Sequence, residues 1–394
     1  MSRPLRRIKA RNYRSLANVN VEFRDLSVLI GPNGSGKSNL LSVLRFLRDT
    51  AKQSIPAAIQ ESGGWDAVLR QSSGGQKVDL TVEAVVSEHA SVNALDRYTL
   101  TLEEGEDGIS RTEELLYKRV SGRGRRTVLR SRGQEVFEEP GPETDAPDLF
   151  ALGLETETSA LGFLAQMIDE RVGGGPRDVA SFLSDVRYLD PDVDRARRPS
   201  RRGAQRLADD ASNLSWALLA LRDEDPDDFL ELERDLARCL PGLKGIHFES
   251  IGGAGSAMVA KLEEEGLRSR IDLADASFGT VRVLALLTAL HDPNPPDVTV
   301  IEEVDHGLHP YALDVLVDRL RAASERTQVI VASHSPTLVN RLSPEEIIVC
   351  DRDPGTGASL IPATRSEEIA DAVAHSEWKA GELWFSGLLG GVPR

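Results

Sequence analysis

Apolar positions along this chain change period several times, and the changes divide it. In residues 5–24 they alternate with polar ones, with Ile8, Val19, Val21 and Phe23 on one side, which predicts two strands joined by a turn at 14–18. Residues 26–30, L-S-V-L-I, form the short apolar run that a strand buried on both faces carries. From Ser38 the period becomes helical: Leu40, Leu41, Leu44 and Leu47 share a face and predict a helix packed on a sheet. The stretch 61–65, E-S-G-G-W, breaks the pattern. Alternation returns at 78–86 and 98–103 and continues through 112–120 and 125–137, predicting a mostly antiparallel sheet.

Residues 138–149 are rich in Pro, Glu and Asp and read as a loop. Helices are expected at 158–170 and 176–185, then a short strand at 186–189. Further helices are expected from residue 212 and over 226–239, the second with Leu230, Leu232 and Leu236 inward. Strands follow at 245–251 and 257–263 around a G-G-A-G turn. From residue 270 the patterning is strongly α/β. It begins with an amphipathic helix after Ser277 that turns Val283, Leu284, Leu287 and Leu290 inward. Two apolar strands then run into Glu302 and Glu303, and into Ser333 and His334. No long repeat or sustained heptad is present. The expected organisation is α/β: 1–137 with an antiparallel β subdomain, 138–269 a helical insertion, and 270–394 the rest of a parallel core.

Composition narrows the class. The 394 residues, 40% hydrophobic, suffice for two or three domains with a sizeable core. No apolar run is long enough to predict a membrane span, and the basic start M-S-R-P-L-R-R lacks the apolar stretch of a secretory signal. Cys239 and Cys350 form no metal-type pair, so a cytoplasmic protein with reduced thiols is expected. The formal net charge of −16 argues against coating nucleic acid, but the cations are concentrated. Residues 118–132 hold seven and no acid, among them Arg123, Arg125 and Arg126. Residues 195–206 hold six and no acid, among them Arg197, Arg198, Arg201 and Arg202. These segments are either solvated loops or phosphate contacts, DNA being the candidate ligand.

The candidate chemistry starts at residues 31–38, G-P-N-G-S-G-K-S, which fit G-x-x-x-x-G-K-[ST] between a strand and a helix. Gly34 and Gly36 let the backbone of Asn33 to Ser38 ring a phosphate, and the helix dipole favours the anion. Lys37 is expected on the β- and γ-phosphates, and Ser38 on Mg²⁺. Residues 298–303, V-T-V-I-E-E, are an apolar strand ending in acids. Glu302 is the candidate magnesium ligand, and Glu303 the base that orients the attacking water. His334, at the end of Q-V-I-V-A-S-H-S, is either a contact to the γ-phosphate and that water or a structural histidine. His306 and His309 read as a helix cap and dimer contact, with a zinc site the weaker alternative. Ser277 and Gly279 open a helix and offer a second anion site.

The order of these motifs resembles ABC-type ATPases, and the details resemble their RecF/SMC/OLD-like branch. I-K-A-R-N-Y-R-S-L is similar to that branch's first strand, G-P-N-G-S-G-K-S-N-L-L to its P-loop, and I-E-E-V-D-H-G-L-H-P to its acidic motif. A-S-H-S-P, D-A-S-N-L and the ending G-E-L-W-F-S-G-L-L-G-G resemble a short stand-alone subgroup. The resemblance implies that ATP and Mg²⁺ are held by Asn33, Gly34, Ser35, Gly36, Lys37, Ser38, Asn39 and Arg14 with Glu302. It also implies that Ser277 and Gly279 cap the γ-phosphate of a second subunit. It further implies an ATP-dependent homodimer or higher oligomer, slow turnover, and a separately encoded effector such as a nuclease, in DNA maintenance or anti-phage defence. A regulatory or scaffolding ATPase that never contacts DNA is the alternative. Three departures stand out. Phe278 replaces the usual acid of S-D-G-T, Val304 and Asp305 follow the acids, and the Q-loop glutamine has only Gln71 and Gln76 as candidates. About 60 residues follow His334, too few for a TOPRIM nuclease domain.

Overall fold

The computed structural model describes residues 4–71, 75–106, 108–118, 126–132, 135–138, 149–150, 159–164, 174–252 and 257–390. At its centre lies a parallel sheet whose strands run, from edge to edge, Arg187–Leu189, Val298–Ile301, Gln328–Ser333, Leu26–Ile30 and Ile347–Val349. Alternate side chains enter two separate cores. Leu29, Val298, Val300, Ile330, Ala332 and Ile348 face one, while Val28, Ile30, Ile301, Val329, Val331 and Val349 face the other. With both faces apolar, each strand reads as an unbroken hydrophobic run.

On the first face lies the helix Lys37–Lys52, which buries Leu40, Leu41, Leu44 and Leu47 as expected. It is covered in turn by an eight-stranded antiparallel sheet that begins with Leu16–Glu22, Leu5–Tyr13 and Lys77–Ala84. The first hairpin turns at Arg14, which has φ 51°. Ile8, Val19, Val21 and Phe23 all enter the core below. The buried amide of Gln328 ties the two sheets together. It accepts from Leu5 N at 3.0 Å and donates to the carbonyls of Leu5 and Arg24, both at 2.9 Å.

The second face carries the helices Leu214–Glu224, Pro226–Cys239, Phe278–Leu290 and Pro310–Ser324, with a small sheet built on Leu243–Ile251 and Ala257–Glu264. Two expectations change here. Leu230 is 47% exposed, because the inward stripe of Pro226–Cys239 is Phe229, Leu232, Leu236 and Cys239. The helix Phe278–Leu290 is not amphipathic. Every residue from Thr280 onward is buried, since three long helices pack around it. The middle segment also contributes strands: Arg187–Leu189 forms an edge of the core sheet, and the segment carries most of the small sheet.

Candidate functional site

The carboxyl ends of Leu26–Ile30, Val298–Ile301 and Gln328–Ser333 converge, as ligand sites of parallel sheets do. There a cavity of about 140 Å³ is lined by Asn33, Gly34, Gly36, Lys37, Ser38 and Asn39 from the P-loop side. Glu302, Glu303, Ala332 and His334 line it from the other two strands. Residues more than 260 positions apart in sequence thus meet around one space.

The loop is shaped by close backbone approach. Gly36 has φ +102°, and a Cβ there would lie 2.0 Å from the Ser359 hydroxyl. The Lys37 ammonium is buried and donates to the carbonyls of Gly31 at 2.7 Å and Pro32 at 3.1 Å. Burial lowers its pKa from the ordinary lysine value, while the carboxylates of Asp305, Glu303 and Glu302 pull the other way. A phosphate would exchange these two carbonyl contacts for charge-assisted ones, which are stronger. Ser35 takes no part in the cavity lining. Its hydroxyl is buried without a partner, and its N–H is spent on Pro32 O at 3.2 Å. Its expected phosphate contact is therefore not prepared.

Ser38 Oγ donates to Glu302 Oε2 at 2.7 Å. The other oxygen of Glu302 accepts from the Tyr188 hydroxyl, whose pKa burial pushes well up, so the phenol stays a donor. A hydroxyl and a carboxylate, both oxygen ligands and both on the cavity wall, fit the preference of Mg²⁺. Glu303 has φ 47°, a costly conformation for a residue with a side chain. Arg282 holds it there. This buried guanidinium donates from Nη2 to the carbonyls of Glu302 at 3.2 Å and Glu303 at 2.8 Å. Burial pushes the pKa of Arg282 down from the usual arginine value. The Glu303 carboxylate lies 3.0 Å from His306 Nδ1. His334 is exposed at the end of its strand.

Arg14 is not on this cavity. It lines a neighbouring one of about 530 Å³ with Ser15, Arg70, Gln71 and Arg352, and Asn39 borders both. Its guanidinium stacks over the Tyr13 ring at 5.4 Å and donates to Ser62 O at 3.4 Å. Gln71 is thus near the site, whereas Gln76 lines neither cavity.

Ser277 and Gly279 also lie outside the cavity lining. Ser277 caps the helix Phe278–Leu290, its Oγ accepting from Thr280 N at 3.1 Å. His309 caps Pro310–Ser324 as expected, accepting from Tyr311 N at 3.3 Å. His306 turns to Glu303 instead, so the two histidines do not share a zinc site. Among the described residues one compact His–carboxylate group exists, Asp228, Glu231 and His291. Its carboxylates already pair with Arg326 and Arg319.

The basic loop 195–206 is partly committed. Arg195 pairs with Asp210 at 2.8 Å and Arg206 with Asp185 at 2.5 Å. Arg197 was an expected DNA contact, but it pairs with Asp194 at 3.3 Å and donates to Ala276 O at 2.7 Å, next to Ser277. Arg198, Arg201 and Arg202 are exposed and pair with no acid among the described residues, although Arg202 stacks over Trp216. Arg123 and Arg125 lie outside the described residues, as does the side chain of Arg126.

Tyr188, Arg282 and His306 were not anticipated in these roles. Tyr188 had a signal: it lies in a predicted strand, and strands end at this edge. Arg282 had one too, as the single charged residue of its helix.

Residues 26–340 match the protein family described as "AAA domain, putative AbiEii toxin, Type IV TA system". Among solved structures, the chain is similar to an Smc head bound to the C-winged helix domain of ScpA. Identity is 13% and the TM-score 0.51, covering 91% of this chain and 96% of that one. It is also similar to an Smc head with an extended coiled coil bound to the C-terminal domain of ScpA, from Pyrococcus furiosus. There identity is 10% and the TM-score 0.52, covering 94% and 98%. A search of curated proteins finds no match.

Proposed function

The chain belongs to this AAA-domain family, and from that premise we propose that it binds and hydrolyses ATP as an ABC-type head whose ATP-dependent dimerisation is a switch. The observation that carries the reading is the meeting of Lys37, Ser38, Glu302, Glu303 and His334 around one cavity, while Ser277 and Gly279 stay outside it.

Lys37 leaves its two carbonyls for the β- and γ-phosphates. Ser38 and Glu302, already in contact, would hold magnesium, which would supply positive charge against that of the phosphates. Tyr188 keeps Glu302 oriented by holding its second oxygen. Glu303 accepts the proton of the attacking water, and His334 contacts that water and the γ-phosphate. Ser277 and Gly279 of a second subunit close the open side, so ATP joins two heads and hydrolysis releases them. In the cell the switch serves DNA maintenance or anti-phage defence through a separately encoded effector, a nuclease being the candidate. A protein partner fits the solved Smc heads, which were crystallised with ScpA domains. The second reading, a scaffolding ATPase that never touches DNA, draws on the net charge of −16 and on the ion pairs of Arg195, Arg197 and Arg206.

Glu303→Gln tests the reading. The amide keeps size and polarity but cannot take the proton, so hydrolysis should fall by about 10²–10⁴-fold. ATP should still bind, and the dimer should persist on gel filtration with ATP and Mg²⁺. Wild-type turnover by this variant would remove Glu303 as the base.

A further inference from the structure

The turn that starts at Ser277 touches the loop that follows the acids at every level of structure. A Cβ on Gly279 would lie 2.7 Å from the carbonyl of Gly307. One on Gly307, where φ is +72°, would lie 2.6 Å from the Phe278 ring. Arg282, one helical turn further on, donates to the carbonyls of Glu302 and Glu303. These contacts lock the two backbones together. Above them the side chains form a chain of their own. The Phe278 ring packs on the His306 ring, with centroids 5.4 Å apart and planes at 46°. His306 Nδ1 in turn lies 3.0 Å from Glu303 Oε2. Phe278 remains 42% exposed.

We propose that Phe278 and His306 form a relay through which the Ser277 turn of one subunit positions that same subunit's Glu303. His306 is a positioning residue. This deepens the function proposed above and rests on it. The physical need is plain. Glu303 is half-exposed, and a glutamate side chain free to rotate loses much of its value as a base, because ordering it costs rotamer entropy at each turnover. The His306 ring, with Nδ1 3.0 Å from the carboxylate, is the neighbour that selects one rotamer. His306 is itself half-exposed and is steadied by the Phe278 ring. When Ser277 caps the partner's nucleotide, the open face of Phe278 is covered. An aromatic contact removed from water holds more tightly, and so fixes His306 and then Glu303. A subunit that has engaged its partner's ATP thereby readies its own base. The two sites of a dimer are then coupled, and hydrolysis depends cooperatively on ATP.

The test is steady-state ATPase kinetics on the full chain, with Glu303→Gln run in parallel. His306→Ala should lower kcat about tenfold with KM for ATP unchanged, since no phosphate-contacting group is altered. His306→Asn can place an amide N–H where Nδ1 stands, and should recover most of kcat. It lacks the ring, so its Hill coefficient should drop towards one. Phe278→Ala should lose cooperativity in the same way, and combining it with His306→Ala should add little further loss. Unchanged kcat in His306→Ala, equal loss in the Ala and Asn variants, or additive effects of Phe278 and His306 would each overturn the relay. The outcomes separate cleanly from those of the parent reading. Normal turnover in Glu303→Gln removes the base itself, whereas an inactive Glu303→Gln beside a normal His306→Ala removes the relay alone.

Discussion

The P-loop and the Ser277 turn are both glycine-bearing helix starts, yet they dispose of their polar groups in opposite ways. The P-loop folds inward. Lys37 donates to carbonyls of its own loop and Ser38 to Glu302, so the groups that would meet phosphate and magnesium are partnered within one chain. The Ser277 turn faces outward. Ser277 satisfies only its own helix, and beside it Phe278 is 42% and Tyr311 60% exposed. The first gathers its polar groups around one cavity and holds them there by contacts within the chain. The second is packed from beneath and leaves Ser277 and part of Phe278 open on its outer side. That asymmetry is what the proposed site, divided between two subunits, would require.

The comparison breaks most visibly by complementation. Lys37→Ala removes a charged donor from the phosphates and should weaken ATP binding by about 10–100-fold, abolishing ATP-dependent dimerisation in sedimentation. Ser277→Arg should leave ATP binding by the single subunit intact and still lose hydrolysis. Mixing the two variants should restore activity, with at most one working site per mixed dimer, because each chain supplies what the other lacks. Normal hydrolysis by Ser277→Arg alone would place the whole active site within one subunit.

How much of this could be read from the chain follows the same division. The P-loop is contiguous, so strand, glycines, lysine and helix were legible together. The acids and His334 were legible because each ends an apolar run, and apolar runs of this kind become parallel strands sharing one edge. Tyr188 and Arg282 serve the site from other elements, and no local pattern announces which carbonyl a distant arginine will meet. Leu230 was misjudged because several apolar residues in one helix fit more than one inward stripe, and Phe229 decided the matter. The periodicity of the Ser277 helix predicts one inward face, whereas its packing on every side comes from helices elsewhere in the chain.

A smaller effect sharpens the comparison through the glycines. Gly279 stands against backbone, the carbonyl of Gly307 at 2.7 Å from a would-be Cβ, and backbone cannot rotate away. Gly279→Ala should cost about 1–3 kcal/mol in denaturant unfolding through overpacking. It should also impair dimerisation while ATP still binds the monomer. If ATP binding by the monomer fell as far as dimerisation, the outward turn and the inward loop would be one unit.

The smallest expected effect concerns the basic loop, which reaches the outward turn and not the P-loop. Arg197 links them by donating to Ala276 O. Arg198, Arg201 and Arg202 are left exposed, without acidic partners among the described residues. If these three meet DNA phosphates, replacing them with Ala should flatten the plot of log affinity against log salt by about two to three units. Replacing Arg195 and Arg206, which are engaged with Asp210 and Asp185, should leave that slope almost unchanged. Because the loop touches the Ser277 turn through Arg197, DNA should alter the lifetime of the ATP dimer and not the affinity of a monomer for ATP. Gel filtration and nucleotide titration with and without duplex separate these two effects. DNA that changed monomer affinity would be acting through the P-loop side. The absence of DNA binding at low salt, with and without ATP, would transfer the proposed function to the scaffolding reading.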